Sequence, residues 1–120
     1  LMVWAKENNL EHQSVLGIYY DDPFAVAEKD LRSSACLILE NPVEPPAPMQ
    51  ALHLPAMRCA VLRHRGPYAD MRLAYMWLYG QWLPQAGVEP ADAPVFEIYL
   101  NEPQATPPTE LLVDIYLPIQ

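Results

Sequence analysis

The sequence predicts an α+β fold made of two tandem copies of one strand–helix–strand–strand unit, and three observations carry that expectation. First, Val15-Leu-Gly-Ile-Tyr-Tyr-Asp-Asp-Pro23 aligns without a gap on Val95-Phe-Glu-Ile-Tyr-Leu-Asn-Glu-Pro103, with Val, Ile, Tyr and Pro identical. Self-similarity at a fixed offset marks a repeated supersecondary unit. Second, the offset that carries Val15 onto Val95 continues: Asp30 and Leu31 match Glu110 and Leu111, and Leu37 matches Leu117. Each half therefore reads as a strand, a proline-marked loop and a second strand. Third, a tryptophan stands upstream of each first strand, Trp4 before Val15 and Trp82 before Val95 at nearly equal spacing, as at the end of a helix. The expected architecture is antiparallel sheets with the helices on one side and a ligand groove between the halves.

The first repeat is read over about residues 1–39. It begins inside its helix, so this unit is expected to be N-terminally truncated, with roughly 20 residues of leading strand and helix start outside the chain by repeat logic. A Pro-rich connector follows over about residues 40–56. Pro42, Pro45, Pro46 and Pro48 hold it stiff and extended, and Met49 to Leu54 is expected to add a short edge strand. The second repeat, about 57–120, opens with a strand over Arg58 to His64, turned by Gly66-Pro67. A helix is expected from about Asp70 to Leu83, stopping at Pro84 with Gly87 just beyond. Its apolar residues, among them Met71, Leu73, Tyr75, Met76, Trp77, Leu78 and Tyr79, surround nearly the whole circumference. Such a helix calls for cover on more than one side.

A length of 120 residues is that of one domain, and a hydrophobic fraction of 52% suffices for a packed core. Seven Lys and Arg against fifteen Asp and Glu leave a net charge of −8. That balance excludes direct nucleic-acid binding, which needs clustered basic side chains on phosphates, and it favours cationic partners. Cys36 and Cys59 are far apart and read as buried free thiols of a reducing, cytoplasmic compartment. No run of eighteen apolar residues occurs, so no membrane partner is expected. His12, His53 and His64 lack metal-ligand spacing, and neither a Gly-rich phosphate loop nor a nucleophile elbow is present. No metal, no cofactor and no catalytic set is assigned.

Glu97 is the residue that calls for a function. In Val95-Phe-Glu-Ile-Tyr-Leu100, strand alternation puts Phe96, Ile98 and Leu100 on one face, here assigned to packing on the helices. Val95, Glu97 and Tyr99 share the other. A carboxylate amid this much apolar surface is costly to desolvate unless it finds a partner. The matching residue in the first repeat is Gly17, with Tyr19 matching Tyr99, and a bare glycine leaves room for a ligand ring. A carboxylate on one side of a pseudo-symmetric groove and space on the other suits flat aromatic cations. Each tyrosine face would add about 0.5–2 kcal/mol of cation–π attraction.

Taken together, several segments resemble the GyrI-like effector-binding domain over essentially the whole chain. They are Leu16-Gly-Ile-Tyr-Tyr-Asp-Asp-Pro23, His64-Arg-Gly-Pro-Tyr68, Trp82-Leu-Pro, Phe96-Glu-Ile-Tyr-Leu-Asn101 and Thr109-Glu-Leu-Leu-Val-Asp-Ile-Tyr-Leu-Pro118. Leu1-Met-Val-Trp4 is similar to the helix of the free-standing gyrase-inhibitor members. The sequence departs from the common pattern at Val26-Ala27 and at Ser34, while Arg32 is kept. The resemblance implies two tandem repeats with a pocket between them, where a strand Glu, here Glu97, recognises lipophilic cations. It further implies aromatic walls, for which Tyr19, Tyr68, Tyr99, Trp4 and Trp82 are the candidates by position. The implied role is the ligand-sensing part of an AraC-type transcription regulator, which would meet DNA only through a separate domain absent from this chain. Three alternatives come with it. One is a free-standing drug-binding protein, and another is a partner of DNA gyrase. The third is a hydrolase of reactive natural products with Glu97 as general acid or base.

Overall fold

The computed structural model describes residues 14–21, 26–39, 47, 49–52 and 54–120. Five strands form one antiparallel sheet: β1 (Val15–Tyr19), β2 (Ser33–Leu37), β3 (Cys59–Arg65), β4 (Val95–Tyr99) and β5 (Leu112–Pro118), in the order β2-β1-β4-β5-β3. Among the described residues one helix, α1 (residues 71–86), packs on one face. With it, the chain is an α+β fold. Some local features recur at the offset of the two matched segments. A short 3₁₀ turn at Glu28–Asp30 corresponds to one at Pro108–Glu110. Tyr20 donates its backbone N–H to the Arg32 carbonyl as Leu100 does to that of Leu112. Asp21 accepts the Arg32 N–H as Asn101 accepts that of Leu112.

The two matched strands are direct neighbours, and their register sets Gly17 opposite Glu97. Residues 49–52 and 54 form no strand, so the expected edge strand between Met49 and Leu54 is not found among them. Trp4 lies outside the described residues.

The helical stretch does not stop at Pro84. It runs as an α-helix over Met71–Trp77, widens to a π-helix over Leu78–Trp82 and resumes as α over Leu83–Ala86. Proline cannot donate to the fourth carbonyl behind it, and its ring crowds that group. A wider i→i+5 stretch just upstream relieves both demands. Termination comes at Gly87, whose φ of 67° is the left-handed cap that glycine adopts without a Cβ penalty.

The face assignment made from sequence is inverted by the structure. Val95 and Tyr99 pack on the α1 side, in a core of Met71, Leu78, Val113, Ile115, Leu117 and Ile119. Phe96 and Ile98 face away from α1 and join Leu16 and Ile18 in a second cluster, where Phe96 stacks on Tyr116 with ring centroids 4.8 Å apart. Both faces of the middle strands are apolar, so alternation alone could not say which one the helix covers. The expectation that α1 is covered on more than one side is not met among the described residues either. Leu73, Met76 and Trp77 stay 64%, 46% and 42% exposed on its outer side.

Candidate functional site

Glu97 sits near the centre of the sheet, on β4 between β1 and β5, and is only 5% exposed. Both carboxylate oxygens are occupied by phenols. Tyr75, from α1, donates its hydroxyl to Oε2, and Tyr99, from the same strand, donates to Oε1 at 2.8 Å. The Tyr99 hydroxyl also lies 2.6 Å from that of Tyr19. A phenol has one hydrogen to give, and Tyr99 gives it to the carboxylate, so Tyr19 is the donor to Tyr99. The result is a directed chain from Tyr19 through Tyr99 to Glu97, closed from the other side by Tyr75.

These phenols are held in their donor form. Burial, followed by the charge of Glu97 and the hydrogen bond to it, pushes the Tyr75 ionisation far above its ordinary value. Burial does the same to Tyr99, helped by the charge of Glu97 and the hydrogen bond Tyr99 donates to it. Tyr19 and Tyr68 move in the same direction, again chiefly through burial. Among the described residues no Lys, Arg or His is ion-paired with Glu97. The positively charged side chain on the cavity wall, Arg32, is bound in bidentate fashion by Asp21 at 3.0 Å, which holds the Asp21 carboxyl below its usual range.

Glu97 lines a cavity of about 700 Å³, a size suited to a drug-like ligand. Tyr19 and Tyr99 form its sheet side, and Tyr68, Met71, Tyr75 and Tyr79 its helix side. Tyr20, Asp21 and Arg32 stand at another part of the wall. Tyr68 tilts against Tyr99 with centroids 5.8 Å apart, and Tyr75 stacks on Tyr79 at 6.5 Å. Of the residues singled out from sequence, Glu97, Tyr19, Tyr68 and Tyr99 are thus brought together. Trp82 is not among them: it does not line the cavity and is partly buried against the α1-side core.

Gly17 has a different place from the one expected. A Cβ there would meet the Tyr99 hydroxyl at 2.9 Å and the Tyr19 hydroxyl at 3.0 Å. The space above it holds those two hydroxyls rather than standing open for a ligand ring. Tyr75 and Tyr79 were not singled out from sequence, although their signal was present. Met71, Tyr75 and Tyr79 are spaced four apart and so share one helix stripe.

The family model described as a GyrI-like small molecule binding domain matches residues 1–120. A protein of Cronobacter turicensis named DNA gyrase inhibitor is 28% identical, over all of this chain and 77% of its own length. One of the same name from Yersinia enterocolitica is 34% identical over 75% of this chain and 60% of its own length. Among solved structures, an uncharacterized conserved protein from Listeria innocua superposes with a TM-score of 0.71 at 16% identity, covering 90% of this chain. A hydrolase from the same organism gives 0.53 at 13% identity. The chain spans 64% and 62% of those two chains, and at such identities the likeness establishes the fold alone. A buried strand carboxylate under a tyrosine-walled cavity and a family match over the full length lead to one conclusion: the chain belongs to the GyrI-like small-molecule-binding domain family.

Proposed function

We propose that this domain binds lipophilic, aromatic cations in the cavity over Glu97, as the ligand-sensing part of an AraC-type transcription regulator. The observation that carries the ligand class is a buried carboxylate whose hydrogen-bond partners are neutral phenols and which no cation of the described chain neutralises. Two hydroxyl donors lower the cost of burying that charge without cancelling it. A cationic ligand would supply the missing charge in a setting where water screens little. Tyr19, Tyr68, Tyr75, Tyr79 and Tyr99 supply ring faces and edges for its apolar body. Gly17 takes part as the seat of the Tyr19–Tyr99 pair, and Trp82 acts from the core behind the wall.

The organisation we propose is a pair of tandem repeats, about 1–39 and 57–120, joined by a Pro-rich connector over about 40–56. The hydrogen bonds that recur at the repeat offset support it. Two unpaired thiols, Cys36 and Cys59, fit a reducing cytoplasm. A second reading, a free-standing partner of DNA gyrase, is favoured by the name of the relatives. A supercoiling assay with purified gyrase, which the sensor reading predicts to be unaffected, separates the two.

The ligand claim is tested by titrating a quaternary aromatic cation and its neutral isostere into wild type and Glu97→Gln. The variant is expected to lose at least about tenfold in affinity for the cation and to hold the isostere within about twofold. Equal cation affinity for both proteins would remove Glu97 from ligand recognition.

A further inference from the structure

A separate feature lies at the far edge of the sheet. β3 is an outer strand, seven residues long. The Ile119 N–H donates to the Arg58 carbonyl at 2.9 Å, and the Gly66 N–H to that of Leu111 at 2.8 Å. Antiparallel ladders alternate, so the main-chain groups of Ala60, Leu62 and His64 face β5. Those of Cys59, Val61, Arg63 and Arg65 face outward, and among the described residues nothing pairs with them. A row of unpaired donors and acceptors of this length is a template for another strand.

Charge says what kind of strand. Four of the seven Lys and Arg residues of the chain, Arg58, Arg63, Arg65 and Arg72, fall between positions 58 and 72, in a protein whose net charge is −8. Arg63 is held by Asp114 at 2.8 Å, whereas Arg58, Arg65 and Arg72 have no ion pair among the described residues. Val61, 52% exposed, projects from the same sheet face as Arg63 and Arg65. A second copy docked edge to edge would crowd the arginines of one β3 against those of the other, and like charges across a ladder are destabilising.

We propose that the outer edge of β3 docks an acidic, extended segment of a partner protein by strand addition. The partner strand runs antiparallel to β3. It places Asp or Glu opposite Arg65 and Arg63 and an apolar residue opposite Val61, so its pattern is acidic-x-acidic-x-apolar. Main-chain hydrogen bonds supply affinity, and the alternate side chains supply selectivity.

Fluorescence anisotropy with a labelled Thr-Glu-Thr-Glu-Thr-Val-Thr peptide tests this. Wild type is expected to bind it, more weakly as salt rises, and to ignore the peptide with Lys in place of Glu. Arg65→Glu is expected to weaken binding by roughly tenfold or more. Val61→Pro is expected to abolish it while keeping the far-UV circular dichroism, since the Val61 N–H points away from β5 and proline there costs no ladder bond. A peptide N-methylated on the edge facing β3 gives the same reading without altering the protein. No binding by wild type, or binding indifferent to N-methylation, overturns the proposal. So does self-association of Arg65→Ser without peptide binding, because the arginines would then only fence the edge.

Discussion

Glu97 is buried on the middle of a sheet whose two faces are both apolar, a position where an unpartnered carboxylate is expensive. The chain meets that cost with hydroxyls: Tyr75 from the helix, Tyr99 from its own strand, and Tyr19 behind Tyr99. Gly17 makes the last link geometrically available, because any side chain there would push on both hydroxyl ends. The same burial sets a pH limit. Tyr75 and Tyr99 ionise less readily in the fold than an ordinary tyrosine, whose value is 10.0. Their contribution is therefore fully present below about pH 10 and is lost as the pH climbs through the higher folded values. Thermal melts are expected to fall steeply above that pH, in step with tyrosinate absorbance. Tyr75→Phe, which has no phenol to ionise at that position, should flatten the fall. A fall above that pH that Tyr75→Phe leaves unchanged would contradict this assignment.

At the scale of elements, α1 is held by a narrow set of contacts. Leu78, at 2% exposure, sits where the helix widens and packs with Met71, Val113, Ile115 and Leu117, whereas Leu73 is 64% exposed on the outer side. Leu78→Ala is expected to lower the unfolding free energy by about 2–5 kcal/mol, and Leu73→Ala by about 0.5 kcal/mol or less. Urea denaturation of the two variants checks the contrast. The strands were legible in sequence because the repeat fixed four of them and the Gly66-Pro67 turn fixed the fifth. The parity of Glu97 with Val95 and Tyr99 was legible for the same reason. Which face met α1 was not, since the alternate residues Phe96 and Ile98 are equally apolar. Hydrophobic spacing carries no signature of a π-helical stretch, and Pro84, a helix stop by its chemistry, lies inside the helix just after that stretch. The stripe of Met71, Tyr75 and Tyr79 was present in the spacing, but a helix apolar on nearly every side gave no reason to prefer it.

At the scale of the whole molecule, the site lies where the two matched strands pair, with Gly17 facing Glu97 across the ladder. Its walls come from both segments: Tyr19 from the first, and Tyr68, Tyr75, Tyr79 and Tyr99 from the second. The net charge of −8 adds a long-range attraction for cations that salt would weaken. Charge steering and the local carboxylate thus favour the same ligand class. The most direct measurement is a crystal structure of the domain with a bound aromatic cation. The account predicts the cationic centre in the cavity, within about 6 Å of a tyrosine ring and closer to the Glu97 carboxylate than to any other acidic group. A ligand seated outside the cavity, or one that turns a neutral end toward Glu97 while Tyr75 and Tyr99 still cap it, would contradict the account.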